Sequence, residues 1–178
     1  MVETRLKDKV VIVTGGAGGI GLATARRFAL EDCRVASWDV KDWDVKDGEA
    51  QAGGIFQKVD VTSAASVESA VEEVAARLGA VYVLVNNAGI LRDGQLVKYQ
   101  DGALAGVMSD EQFDVVIGVN LKGVFTCTRA VVPRMIQGGG GVILNASSVV
   151  GLYGNFGQTN YVATKASVER PTLGRSAT

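Results

Sequence analysis

The sequence predicts an α/β fold built on a doubly wound parallel sheet. Unbroken β-branched runs such as Val10–Thr14 suit strands that are buried on both faces of a parallel sheet. Amphipathic stretches separate these runs, and strands that alternate with helices imply right-handed crossovers with helices on both faces. About five strands are expected, at residues 10–14, 35–39, 55–59, 81–86 and 141–146.

The helices between these strands are predicted from apolar spacing and from one capping signal. Ser109 followed by Gln112 has the form of a capping box, which indicates a helix that begins near Asp110. Elsewhere the apolar side chains repeat with helical period. Helical stretches are therefore expected at residues 20–30, 67–78, from about 110, and 121–136.

Length and charge limit the classes of function. A chain of 178 residues is long enough for one packed domain and too short for two ordinary ones. The formal net charge is −1, so no broad field attracts nucleic acid or an anionic membrane surface. No apolar run approaches the length of a membrane span, and the first nine residues are mostly polar. We therefore expect a cytoplasmic protein whose partners are small molecules and copies of itself.

The cysteines and the absence of histidine limit the chemistry. Cys33 and Cys127 are far apart in sequence, which is typical of free thiols in a reducing compartment. With no histidine, schemes based on Ser-His-Asp or Cys-His and the commonest zinc ligand are excluded. No metal site is predicted, and any acid/base chemistry must use Tyr, Lys, Asp or Glu.

A glycine-rich segment at residues 14–21, here called the glycine loop, predicts a dinucleotide site. It lies between a buried strand and a helix, where backbone N–H groups and the positive end of the helix meet a pyrophosphate. Glycines are needed because side chains would block the phosphates or hold the helix away from the strand. A P-loop is excluded because Leu22 stands where lysine is required. A flexible connector is the alternative, and the flanking strand and helix disfavour it.

Asp39 predicts the preferred dinucleotide. It lies eighteen residues after Gly21 at the end of the second strand, near the spacing at which a carboxylate binds the adenosine ribose hydroxyls. This favours NAD and makes NADP less favourable, because a 2′-phosphate would meet a like charge. Neither the glycine loop nor residues 38–40 offer an Arg or Lys to neutralise that phosphate.

An exact tandem repeat provides a rival aspartate. Residues 38–42 are copied at 43–47, so Asp44 repeats the position of Asp39. A copy of five residues is most simply accommodated as extra surface loop. A solvated turn residue is a further interpretation of Asp39. Asp39 remains the preferred ribose ligand.

Three motifs occur in order along the chain: the glycine loop, Asn86-Asn87-Ala88-Gly89 after the fourth strand, and Tyr161-Val162-Ala163-Thr164-Lys165. Together they resemble the short-chain dehydrogenase/reductase family. The resemblance runs from about Leu6 to about Val168 and implies a Rossmann fold. It also includes Asp60-Val61, Asn120 and Ser147-Ser148.

The resemblance implies a role for each motif residue. Tyr161 is the general acid/base, Lys165 is its activator and a ribose ligand, Ser148 orients the substrate oxygen, and Asn120 supports a water-mediated proton path. Ser147 adjoins Ser148, and the family's thirteen-residue spacing to Tyr161 points to Ser148. The expected cofactor-binding residues are Gly15, Gly19, Ile20, Gly21, Asp39, Asp60, Val61, Asn87, Tyr161 and Lys165.

Elementary electrostatics agrees with these roles. Tyr161 and Lys165 are four residues apart, so on a helix they share one face. A cation about 4 Å from a phenolate stabilises it by roughly 4 kcal/mol at an effective dielectric near 20, which favours a tyrosine base at neutral pH. Taken alone, this pair is equally consistent with an amphipathic helix carrying a half-buried tyrosine and a solvated lysine.

The substrate group and the end of the chain complete the expectations. Residues 145–151 and 154–158, with 90–93, look most like the 3-oxoacyl-carrier-protein reductase group, which implies a ketone of 3-oxoacyl type, whereas residues 99–107 look like an insertion. Many members of that group prefer NADPH, whereas Asp39 favours NAD.

Residues 1–168 are expected to form a C-terminally truncated Rossmann domain, and residues 169–178 a polar tail outside the family pattern. A second hypothesis is therefore an inactive module that binds dinucleotide or oligomerises.

Overall fold

The computed structural model of the chain describes residues 4–41 and 54–169. Within them, five strands form one parallel sheet and two form a separate antiparallel hairpin. In chain order the strands are β1 Val10–Thr14, β2 Arg34–Asp39, β3 Ile55–Lys58, β4 Val81–Asn86, β5 Val97–Gln100, β6 Ala103–Val107 and β7 Val142–Asn145. The large sheet has the order β3-β2-β1-β4-β7.

The helices connect these strands. They are α1 Gly19–Ala29, α2 Ala64–Leu78, α3 Asp110–Ile117, α4 Gly123–Gln137, α5 Val149–Tyr153 and α6 Thr159–Val168, with a π-helical turn at Gly118–Lys122 between α3 and α4. The predicted capping box is confirmed: the Ser109 hydroxyl accepts from the Gln112 N–H at 3.1 Å, and the Gln112 side chain accepts from the Ser109 N–H at 3.0 Å.

The core lies on both faces of the sheet, which confirms the doubly wound architecture. On β1, Val10 and Ile12 pack in one apolar cluster, whereas Val11 and Val13 pack in the other. The first cluster includes residues of α2 and α4, and the second includes Ala25 of α1. The chain order reverses between β1 and β4, so the carboxyl ends of these strands form the crevice in which such sheets bind ligands.

The α3–α4 segment is long and apolar. By length and composition alone, Asp110–Gln137 would suffice to cross a membrane, with a mean hydropathy of 1.5 over its most apolar window. In the structure its Cys127, Val131 and Met135 side chains are buried in the core. One face of this segment therefore packs in the core.

The β5–β6 hairpin was not predicted. Asp101 and Gly102 form its turn with φ of 51° and 78°, as a two-residue hairpin connection requires. Residues 99–107 were expected only as an insertion, so the expectation of a single sheet was incomplete. Asp44 and the rest of the second tandem copy lie outside the described residues, as does the polar tail beyond Glu169.

Candidate active site

The glycine loop brings α1 close to the end of β1. Gly15 and Gly19 have positive φ of 67° and 51°, which favours glycine at both positions. A Cβ on Gly21 would lie 2.0 Å from the Gly15 carbonyl oxygen, so the approach of the helix to the loop depends on a bare backbone. Gly18, the N-cap of α1, offers no side-chain acceptor to the first-turn N–H groups. These N–H groups suit a phosphate ligand.

A cavity of about 670 Å³ opens beside this loop and is here called the cofactor groove. It collects every cofactor residue predicted outside α6, namely Gly15, Gly19, Ile20, Gly21, Asp39, Asp60, Val61 and Asn87. Tyr161 and Lys165 lie outside its lining. The combination of bare glycine backbone, helix N-terminus and a carboxylate at the end of β2 fits a dinucleotide.

Asp39 is held at the rim of the cofactor groove. One carboxylate oxygen accepts from the Ala17 N–H at 3.0 Å, and the other accepts from the Lys41 N–H at 3.2 Å. Lys41 also lines the groove, and its ammonium lies 3.7 Å from the point that a Cβ on Gly18 would occupy. Lys41 is thus a cation directly after residues 38–40, which contain no Arg or Lys, and its place at the groove was not predicted.

The turn after β4 is fixed to the glycine loop by Thr14. Its hydroxyl accepts from the Asn87 N–H at 3.0 Å and from the Ala88 N–H at 2.9 Å. The Asn87 side-chain amide donates to the Thr14 carbonyl at 3.0 Å. Asn87 therefore positions one wall of the groove.

Asp60 and Val61 form the opposite wall. The Asp60 carboxylate accepts from the Thr62 N–H at 2.9 Å and from the Thr62 hydroxyl at 2.7 Å. Val61 is buried, and a Cβ on Gly123 would lie 2.8 Å from its methyl group. Both residues, which the sequence predicted to bind the cofactor, line the cofactor groove.

Tyr161 and Lys165 lie together on α6. The Lys165 ammonium is 5.5 Å from the centroid of the Tyr161 ring and donates to the Ala146 carbonyl at 2.6 Å. Lys165 is 6% exposed, and burial lowers the pKa of its ammonium. The alternative of a solvated lysine on an ordinary amphipathic helix is therefore wrong.

The two serines after β7 differ in their contacts. The Ser147 hydroxyl donates to Glu169 Oε1 at 2.6 Å and lies 3.2 Å from the Lys165 carbonyl. Ser148 is the N-cap of α5, and its hydroxyl accepts from the Val150 N–H at 3.4 Å. Among the described residues no acceptor for the Ser148 proton is found.

Asn120 occupies the π-helical turn and is 1% exposed. Its amide oxygen accepts from the Ile90 N–H at 2.8 Å, and its amide nitrogen donates to the Ile90 carbonyl at 3.0 Å. Asn120 thus holds the segment that follows the Asn-Asn-Ala-Gly motif. Single π-helical turns inside α-helices occur often at functional sites.

The family model described as short chain dehydrogenase matches residues 9–174. The chain belongs to this family. It is similar to the 3-oxoacyl-[acyl-carrier-protein] reductase FabG of Thermotoga maritima, with 46% identity over 169 residues that cover 92% of this chain and 65% of that protein. A reductase of the same name from Staphylococcus aureus is 40% identical over 166 residues, which cover 90% of this chain and 64% of that protein.

The family match accounts for the arrangement of the site. It includes the glycine loop, the turn after β4 and all of α6. It also runs six residues past Val168, to residue 174. The chain spans slightly less than two thirds of the length of these relatives.

Proposed function

We propose that this short-chain dehydrogenase is an NAD-dependent oxidoreductase that transfers a hydride between the nicotinamide and a ketone or secondary alcohol. The observation that carries the proposal is the pairing of Tyr161 with a buried Lys165 ammonium on one face of α6. Lys165 also reaches Ala146, whose N–H donates to the Asn86 carbonyl at 2.9 Å. This contact connects the Tyr161–Lys165 pair to Asn86. Asn86 directly precedes Asn87, which lines the cofactor groove.

Each side chain has a distinct task in this mechanism. Tyr161 gives a proton to the carbonyl oxygen in reduction and takes it from the alcohol in oxidation. The Lys165 ammonium, in partly dehydrated surroundings, stabilises the phenolate that forms. Ser148 donates a hydrogen bond to the substrate oxygen, and Asn120 supports a water-mediated path for the proton. The bound nicotinamide supplies or accepts the hydride.

NAD is the cofactor that Asp39 favours. Its carboxylate faces the groove at the end of β2, where a ribose hydroxyl would hydrogen-bond to it and a 2′-phosphate would be repelled. Lys41 opposes this preference because its ammonium reaches the same end of the groove. A backbone N–H on each oxygen holds the acid at this position, which supports the proposal of NAD as the preferred form.

A 3-oxoacyl ketone is the substrate class that the surroundings of Ser148 support. Large apolar side chains on α5 and the following loop stay exposed there: Val149 at 65%, Leu152 at 66%, Tyr153 at 82% and Phe156 at 82%. Such a surface suits the acyl part of a small-molecule substrate. The names of the relatives point to the same chemistry. We further propose a cytoplasmic location and a homo-oligomeric assembly.

Tyr161→Phe tests the proposal, with Tyr99→Phe as the matched control because Tyr99 is 70% exposed on the hairpin. NADH binding is measured by fluorescence and turnover is measured with acetoacetyl-CoA. Loss of a general acid should lower kcat by about 10²- to 10⁴-fold with NADH binding kept. Full turnover by Tyr161→Phe would contradict the proposal. NADH binding without any turnover by the unaltered chain would support the inactive dinucleotide-binding module instead.

A further inference from the structure

Asn160 directly precedes Tyr161 and is fully buried in the first turn of α6. Its amide nitrogen donates to the Arg92 carbonyl at 3.0 Å and to the Gln112 carbonyl at 2.9 Å. Its amide oxygen accepts from the Tyr161 N–H at 2.8 Å. One side chain therefore connects three segments: the loop after β4, helix α3 and the start of α6.

The chemistry of this position requires an amide. Two carbonyl acceptors and one N–H donor surround it, and asparagine offers two donors and one acceptor at the right length. The first-turn N–H groups of a helix need acceptors, and Gln158, the N-cap of α6, supplies none from its side chain. Asn160 provides the acceptor for Tyr161 from inside the helix.

Two neighbouring hydrogen bonds also connect the loop after β4 to the loop before α6. The Gly94 N–H donates to the Gly157 carbonyl at 2.8 Å, and the Gln158 amide donates to Asp93 at 3.0 Å. The Gln158–Asp93 hydrogen bond is exposed to solvent, whereas Asn160 is buried. Asn160 is therefore the more firmly held contact between these two loops and is here called the anchor.

The anchor connects Tyr161 to Asn120. Asn120 holds Ile90 by both backbone groups, and Asn160 holds Arg92 two residues further on. The short loop at residues 90–92 is thus hydrogen-bonded to Asn120 of the π-helical turn and to Asn160 of α6. A displacement of this loop would move the first turn of α6 and its tyrosine together.

We infer that Asn160 is a positioning residue, which sets where Tyr161 stands by hydrogen-bonding the start of its helix to the loop after β4 and to α3. The inference rests on the proposed role of Tyr161. Asn160 does not line the cofactor groove, so its loss should affect the chemical step and leave cofactor binding intact. A misplacement of about 1 Å from remote changes can cost about 100-fold in rate.

The test compares Asn160→Asp and Asn160→Ala with the control Gln100→Glu. Aspartate keeps the shape but presents acceptors to both carbonyls, and alanine removes all three bonds. Gln100→Glu makes the same amide-to-acid change at an exposed position on the hairpin. The full chain is assayed with NADH and acetoacetyl-CoA for kcat and KM, for NADH affinity by fluorescence, and for thermal unfolding.

The expected result is a fall in kcat of about 10- to 100-fold for both Asn160 variants, with NADH affinity within about twofold of the original. The pH at which kcat is half-maximal should also move in these variants, because the distance between Tyr161 and Lys165 changes. Gln100→Glu should match the unaltered chain in all measurements.

Three outcomes would overturn the inference. Unchanged kcat in a folded Asn160 variant would show that Tyr161 does not depend on the anchor. Failure of both variants to fold or to bind NADH would make Asn160 a structural residue of the domain. A lower kcat with an unmoved pH profile would point to a general loss of active protein. By contrast, an unaltered chain without Tyr161-dependent turnover would remove the proposed function itself.

Discussion

The Asp39 carboxylate accepts a hydrogen bond from the Ala17 N–H at 3.0 Å, so the end of β2 is fastened to the glycine loop. Lys41 lies at the same end of the groove and places a cation near that carboxylate. The acid opposes a 2′-phosphate and the cation attracts one. We therefore expect cofactor preference to depend on the balance between these two side chains, and each can be removed by a separate substitution.

Removing the Asp39 charge should shift preference towards NADP. In Asp39→Ala the ratio of kcat/KM for NADP to that for NAD is expected to rise about tenfold or more, which corresponds to about 1.4 kcal/mol of lost repulsion. Lys41→Ala should shift the same ratio the opposite way. The ratio is the proper measure because loss of the Ala17 hydrogen bond would weaken binding of both dinucleotides.

The tandem copy supplies the control for this prediction. An unaltered ratio in Asp39→Ala, together with a shifted ratio in Asp44→Ala, would assign the ribose contact to the second copy. A shift in the same direction for both Asp39→Ala and Lys41→Ala would show that their charges do not act on the 2′-phosphate.

Gly21→Ala should abolish cofactor binding and destabilise the fold. The new Cβ would lie 2.0 Å from the Gly15 carbonyl, which is backbone and cannot move aside as a side chain could. Overpacking of this kind costs about 3 kcal/mol or more. Urea unfolding and NADH fluorescence measure the two effects.

Gly18→Ala is the matched control in the same loop. A Cβ there meets the flexible end of Lys41 at 3.7 Å, and the φ of −172° is open to any residue. Its stability should stay within about 0.5 kcal/mol of the original. Equal effects of both substitutions would contradict the packing argument.

The sheet and the cofactor groove could be predicted because their signals are local. The run Val10–Thr14 and the glycines after it encode strand, turn and helix within one stretch of sequence. The hairpin was missed although Asp101-Gly102 is a recognised two-residue turn signal, because its strands expose apolar side chains and lack a buried face.

The parts that could not be predicted depend on contacts between distant segments. Helical spacing placed Tyr161 and Lys165 on one face, but the burial of Lys165 follows from its packing beside Ala146. Asn160 was missed because its partners are backbone carbonyls 68 and 48 residues away. Every residue carries a backbone carbonyl, so the sequence does not show which ones accept a hydrogen bond.

Both cysteines should be inert in the folded protein. Burial raises the pKa of the Cys127 thiol to about 12. Burial, followed by Glu31 and Asp32, also raises the pKa of Cys33, whose thiol donates to the Leu6 carbonyl at 3.3 Å. At about pH 8 only about one Cys127 in ten thousand would be thiolate, the reactive form. Labelling with Ellman's reagent should be slow in native buffer and complete in denaturant, and rapid native labelling would contradict the buried positions.

The titration of Lys165 should make the free energy of unfolding rise with pH in the alkaline range. Burial lowers its pKa in the folded state from the ordinary value of 10.5. Between the lowered value and 10.5 the unfolded chain binds more protons, so this residue's contribution to stability rises with pH through that window and is constant below it.

Lys165→Met removes the titration, and the free energy of unfolding of the unaltered chain should rise relative to the variant across the window. Lys122→Met, at an exposed lysine, should follow the unaltered chain. Guanidinium unfolding at a series of pH values measures the three curves, and a constant difference between the unaltered chain and Lys165→Met would mean that the ammonium is as well hydrated in the folded state as in the unfolded chain.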